Sequence, residues 1–153
     1  VNQNILGKVK HPIPTIMDYR NHIAEGSMLN TPPVFAVYVC LLNLRWLKSI
    51  GGIPAIEKLN QQKADLLYNE IDNNELFTTN VVKEYRSKMN VCFVMKNPDL
   101  EKPFYDYVKF NGVYGIKGHR LSGGFRASLY NALPLRSVEY LVELMQEFKQ
   151  SHA

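Results

Sequence analysis

The stretch Gly118-His-Arg-Leu-Ser-Gly-Gly-Phe-Arg-Ala-Ser-Leu-Tyr-Asn-Ala132 decides how the second half of the chain is read. A glycine pair, Gly123-Gly124, separates a short polar run from the β-prone segment Phe125 to Tyr130. Upstream, Val113 to Ile116 is also β-prone, so Gly118 to Gly124 reads as the loop between two antiparallel strands. That loop brings together His119, Arg120 and Arg126, and the stretch contains no acidic residue to pair with them. Arginine presents a planar fork that matches a carboxylate or a phosphate with two parallel hydrogen bonds. Histidine adds a donor that can carry charge beside a phosphate, and glycine lets backbone approach a ligand closely. On residue type alone, a solvated hairpin with ordinary surface arginines competes with a site for two anions or one doubly anionic ligand.

Working outward, Asn90 to Met95 reads as a further strand. Pro98 to Phe110 reads as a helix closed by Asn111-Gly112. Val138, Leu141, Val142, Met145 and Phe148 recur at helical spacing in a C-terminal helix, for which Ser137 is the expected cap. From about residue 76 onward the order of elements is that of a compact α/β unit. Before it, Ile56, Leu59, Leu66, Leu67 and Ile71 mark a helix over about Pro54 to Ile71, with the polar residues Glu57, Lys58, Lys63 and Asp65 between them, broken by Asp72-Asn73-Asn74. Val34 to Leu47 is apolar on nearly every face. It reads as a deeply buried helix with Thr31 as N-cap and Pro32 at its first position, ended by Gly51-Gly52. Residues 1–29 look irregular, with Pro12 and Pro14 opposing helix and Gly26-Ser27 as a loop. Two regions are expected: 1–50, the end of a preceding domain with a connecting helix, and 51–153, a small α/β domain. A chain that opens on Val1 rather than Met reads as a piece of a longer polypeptide.

The 153 residues can bury a real core, and 46% of them are hydrophobic with a mildly negative mean hydropathy. The longest apolar run, Val34 to Leu42, is far short of the ~20 residues a bilayer span needs, so no membrane partner is expected. The net charge of +4 and the pI of about 9.0 permit nucleic acid as a partner. The basic residues are spread out rather than massed in a stripe, which argues against one. Cys40 and Cys92 lie in apolar segments and read as two buried free thiols, consistent with a reducing cytoplasm. His11, His22 and His152 have no metal-ligand spacing with each other or with either cysteine. There is no P-loop, dinucleotide fingerprint or nucleophile elbow. No residue of the chain is assigned a catalytic or metal-binding role. Asn30-Thr31 offers side-chain donors just before the apolar helix. The two prolines that follow lack N–H groups, so simple capping competes there with anion binding.

Four segments carry a resemblance. SMLNTPPVFAVY (27–38), EKLNQQKADLLYNEID (57–72), RSKMNVCFV (86–94) and GHRLSGGFRASLYNA (118–132) follow one another in the order and spacing of the phosphoserine aminotransferases. These belong to the class-V pyridoxal-phosphate-dependent aminotransferases. The resemblance spans essentially the whole chain and looks like the C-terminal portion of such an enzyme. It implies the small domain of a fold-type-I transferase, with a small sheet flanked by helices and a long buried connecting helix before it. It implies pyridoxal 5'-phosphate as cofactor and a cytoplasmic homodimer. The implied substrates are phosphoserine, glutamate, 2-oxoglutarate and 3-phosphohydroxypyruvate, in the biosynthesis of serine, with pyridoxine biosynthesis as an additional role the resemblance leaves open. It assigns Asn30 and Thr31 to the cofactor phosphate of a neighbouring subunit. His119 and Arg120 are assigned to the distal phosphate or carboxylate of the substrate, and Arg126 to its α-carboxylate. The lysine that holds the cofactor covalently in this family lies upstream of the residues that Val1 to Ile5 resemble. Lys8 and Lys10 fall after it, so the 153 residues alone are expected to be inactive and not to hold the cofactor stably. Two other readings stay open: a transaminase of the same fold acting on another amino acid, and a stand-alone anion-binding module without catalysis.

Overall fold

In the computed structural model, residues 1–121 and 123–152 are described. They form two compact units, Val1–Trp46 and Leu47–Ala153, where the sequence places its division after residue 50.

The first unit holds two short 3-10 turns, Gln3–Ile5 and Thr15–Met17, and helix α1, Tyr19–Ala24. Asp18 caps α1 by accepting from the Arg20 N–H and clamps the Arg20 guanidinium. Helix α2, Val34–Ser49, forms as its composition demands, but its expected burial is not found: no residue of it is buried, and Phe35 is 80% exposed. A helix apolar on every face has to be enclosed on every side to be buried, and α2 is not enclosed here. Its start also lies two residues later than expected. The Pro33 carbonyl accepts from Val37 and the Pro32 carbonyl from Val34, so Thr31 stands ahead of the helix and is not its N-cap.

The second unit is α/β. Helix α3, Gly52–Asn73, is followed by strand β1, Phe77–Thr78, and strand β2, Asn90–Met95. Helix α4, Glu101–Phe110, strand β3, Phe125–Ser128, and helix α5, Leu135–His152, complete it. The three strands make one antiparallel sheet in the order β1-β2-β3. β2 alternates strictly, with Val91, Phe93 and Met95 buried; its bounds are those read from the sequence. Phe125 and Ala127 of β3 face the same way. Against this face pack Leu67 and Ile71 of α3, Phe104 and Val108 of α4, and Val138, Leu141 and Met145 of α5. Phe104 is the hub, with ring centroids 4.9 Å from Phe77, 5.1 Å from Phe125 and 5.2 Å from Phe148.

The opposite face of the sheet is open. Cys92 points there, because its neighbours Val91 and Phe93 point inward, so the expected buried thiol is an exposed one; Cys40 on α2 is exposed as well. α4 stops as expected. Gly112, at φ +82°, turns the chain left-handed, its N–H donates to Lys109 and the Val113 N–H reaches back to Val108. The expected strand over 113–116 is not formed. Gly115, also left-handed, interrupts it, and a single bridge, Lys117 to Phe125, remains. The last helix begins at Leu135, with the Pro134 carbonyl accepting from Ser137, so Ser137 lies inside α5 rather than capping it. The two-residue strand β1 has no counterpart in the sequence reading.

Candidate functional site

The open face of the sheet and the hairpin at its edge collect the second unit's candidate residues. β3 puts Phe125 and Ala127 in the core, so the side chain of Arg126 between them stands on the open face, opposite Cys92 of β2. The Arg126 N–H donates to the Ile116 carbonyl at 2.7 Å. Two residues further out, the chain folds back on itself. The Gly118 N–H donates to the Gly124 carbonyl and the Gly123 N–H to the His119 carbonyl, each at 2.8 Å. His119 and Arg120 therefore lie in the tip of the hairpin whose returning strand carries Arg126, and all three are exposed. Ser122 lies outside the described residues.

Two glycines make this closure possible. A Cβ on Gly118 would lie 2.0 Å from the Gly123 carbonyl oxygen. One on Gly124, which is also left-handed at φ +61°, would lie 2.6 Å from Val94 Cγ1 and 2.7 Å from the Phe93 carbonyl oxygen. Any side chain at either position would push the tip away from the sheet.

The charge is one-sided. From Lys117 to Arg126 there is no carboxylate. Among the described residues, neither Arg120 nor Arg126 has an ion pair or a side-chain hydrogen bond. Lys117 turns away to place Nζ 5.8 Å from the centre of the Tyr105 ring. The Nδ1 of His119 accepts from the Leu121 N–H at 3.3 Å. The hairpin thus gathers an imidazole and two guanidinium forks on an open surface, groups that can bind anions, and among the described residues no ion pair occupies either guanidinium.

Asn30 and Thr31 belong to the first unit. Both are exposed, and the Asn30 amide donates to the Thr31 carbonyl at 3.3 Å. An amide and a hydroxyl are donors suited to a phosphate. The backbone adds little, because Pro32 and Pro33 have no N–H and the Val34 N–H is already used. Among the described residues no group of His, Cys, Asp and Glu could hold a metal ion, and no single helix is long and apolar enough to cross a membrane.

The model of the aminotransferase class-V family matches residues 7–141. The chain belongs to that family. It is 51% identical, over 154 aligned residues, to the phosphoserine aminotransferase of Bacteroides thetaiotaomicron, an alignment covering 99% of the chain and 43% of the relative. A solved phosphoserine aminotransferase, studied for radiation damage of its Schiff base, superposes with a TM-score of 0.85 at 39% identity, covering 99% of this chain and 42% of that one. The pyridoxal-phosphate-bound phosphoserine aminotransferase of Trichomonas vaginalis superposes with a TM-score of 0.77 at 38% identity, covering 90% and 40%. The chain therefore spans less than half the length of the relatives it matches, and its fold is theirs over that span.

One residue that shapes this surface escaped the sequence reading. Lys63 was placed among the polar residues between the apolar positions of α3, yet it is completely buried. The signal was present: Ile56, Lys63, Leu67 and Ile71 share one stripe, and a lysine on that stripe must enter the core.

Proposed function

We propose that the chain is the C-terminal small-domain part, with its connecting helix, of a pyridoxal-phosphate-dependent phosphoserine aminotransferase, which exchanges an amino group between glutamate and 3-phosphohydroxypyruvate. The observation that carries this reading is the hairpin: an imidazole and two guanidinium groups held together on an exposed surface, the two arginines without an ion pair among the described residues, on a chain of the aminotransferase class-V family. Phosphoserine has a carboxylate at one end and a phosphate at the other, the latter with about −1.5 to −2 charges near neutrality. Glutamate and 2-oxoglutarate have carboxylates at both ends. Arg126, on the rigid sheet, takes the α-carboxylate as a bidentate pair. His119 and Arg120, at the hairpin tip, take the distal phosphate or carboxylate.

Asn30 and Thr31 fit the phosphate end of the cofactor, by the amide and hydroxyl donors they expose, and in a homodimer they would serve the neighbouring subunit's cofactor. When bound, the cofactor supplies the electron sink for the transfer. The covalent bond to it comes from a lysine outside this chain. The whole enzyme would serve serine biosynthesis in the cytoplasm.

The test compares two polypeptides. A longer polypeptide joining these residues to a domain with a cofactor-binding lysine should convert phosphoserine and 2-oxoglutarate to products. The 153 residues alone, supplied with pyridoxal phosphate, should not. Turnover by the short chain, abolished by removing one of its own lysines, would overturn the proposal.

A further inference from the structure

Lys63 lies at the middle of α3, fully buried, and three backbone carbonyls converge on its ammonium. Nζ donates to Tyr130 at 2.8 Å, to Leu133 at 3.2 Å and to Leu129 at 3.4 Å. Among the described residues no carboxylate pairs with it. An ammonium has three N–H donors, and here each has one acceptor, all from the segment that directly follows β3. A buried charge persists only where it is hydrogen-bonded. Burial lowers the Lys63 pKa, and the three carbonyls are what favour the charged form. One turn earlier on the same helix, Asn60 donates to the Asn131 side chain at 2.7 Å. α3 therefore grips the segment 129–133 at two points.

The grip reaches the site through a short ladder. β3 has four residues, and the Leu129 N–H that closes it donates to Met89 at 2.7 Å. Within the segment the Leu133 N–H donates to Tyr130 at 2.9 Å. Arg126 has no side-chain partner of its own among the described residues, so its place is set by the strand alone. Releasing the far end of a strand this short loosens the residue that stands two from its end.

We infer that Lys63 is a positioning residue: its tethered ammonium holds the turn after β3 and thereby fixes the strand that presents Arg126. The inference rests on the proposed reading of Arg126 for its functional meaning, but its first test does not depend on that reading.

Two variants separate the ammonium from its hydrocarbon stem. Lys63→Met keeps the stem. Lys63→Ala leaves a slot that propylammonium fills with the charge and 1-propanol fills without it. The readout is amide hydrogen exchange at Arg126, Leu129 and Leu133, referenced to Leu144 and Met145 in α5. In Lys63→Met, exchange at the three amides should rise at least about tenfold relative to the α5 amides. In Lys63→Ala, propylammonium should restore it and 1-propanol should not. If Lys63→Met fails to fold, recovery of folded Lys63→Ala by propylammonium and not by 1-propanol supports the same role. Unchanged exchange at the three amides in folded Lys63→Met overturns the inference. So does equal loss across both groups of amides, or rescue that does not depend on the added charge. Exchange that rises while L-glutamate binding in the longer polypeptide stays unchanged leaves Lys63 in its place and removes Arg126 from the carboxylate clamp.

Discussion

Helices α2 and α5 are alike in length and opposite in fate. α2 is the more apolar, yet none of its 16 residues is buried; α5 mixes apolar with charged residues, and six of its 18 are buried. α5 concentrates Val138, Leu141, Val142, Met145 and Phe148 on one stripe, which a single layer, the sheet with α3 and α4, can cover. α2 distributes its apolar residues around the axis, so one neighbouring layer could cover only part of it. Burial follows from the match between an apolar stripe and one available layer, not from the amount of apolar surface.

Deleting side chains in the two regions should separate them most sharply. Phe104→Ala removes the hub of the core and should destabilise the second unit by about 3–5 kcal/mol. Phe35→Ala on exposed α2 should stay within about 0.5 kcal/mol of the parent in this chain. Urea unfolding followed by far-UV circular dichroism compares them, and similar losses would break the contrast.

Glycines give the next largest effect and carry the comparison to the hairpin. Gly124→Ala meets Val94 and the Phe93 carbonyl in a left-handed position and should cost about 2–4 kcal/mol. Gly112→Ala is left-handed too, but has open space around the new methyl group, and should cost about 1 kcal/mol. Thermal unfolding of the two variants should rank them in that order.

A smaller effect than the loss of Phe104 or of Gly124 is electrostatic. Arg86 holds Asp72 by two hydrogen bonds of 2.7 and 2.8 Å while stacking 4.6 Å from the Tyr68 ring, and this pairing keeps the Asp72 carboxyl below its usual range. A carboxyl whose pKa is lowered by folding stabilises the fold fully above its unfolded value, about pH 4, and loses that contribution as pH falls through the folded value. The pair is partly exposed, so Asp72→Asn should cost about 1 kcal/mol at pH 7. The gap in urea midpoint should close toward pH 3. A gap that widens on acidification would contradict the pairing.

What the sequence disclosed followed from local physics. β2 was legible because Val91 to Met95 is a short apolar run rich in β-prone residues. The end of α4 was legible because Asn111-Gly112 supplies the left-handed residue a helix terminus needs. The hairpin was legible because glycines flank its cations. The misreadings have tertiary causes. Residues 113–116 have strand composition, but Gly115 bends them out of the ladder. Cys92 looked buried by its apolar neighbours, although alternation turns it outward. Ser137 looked like a cap, yet Pro134 starts the helix earlier. Lys63 looked like surface because lysine usually is; only the three-dimensional path of residues 129–133 supplies the carbonyls that let it be buried. The grouping of His119, Arg120 and Arg126 on one hairpin follows from the sequence spacing, whereas the lack of an ion pair on the two arginines among the described residues required the structure.

The central claim is that the hairpin reads a small molecule with an anion at each end, Arg126 at the α-carboxylate and His119 at the distal group. The measurement that tests it most directly is steady-state kcat/KM for phosphoserine and for glutamate in the longer polypeptide, with Arg126→Ala and His119→Ala beside the parent. Arg126→Ala should lower both substrates alike, by about 30- to 1000-fold, the loss expected for a charge-assisted bidentate pair worth roughly 2–4 kcal/mol. His119→Ala should lower phosphoserine more than glutamate, because a phosphate dianion depends more on a cationic donor than a carboxylate does. Equal losses for the two substrates in His119→Ala, or unequal ones in Arg126→Ala, would contradict the account.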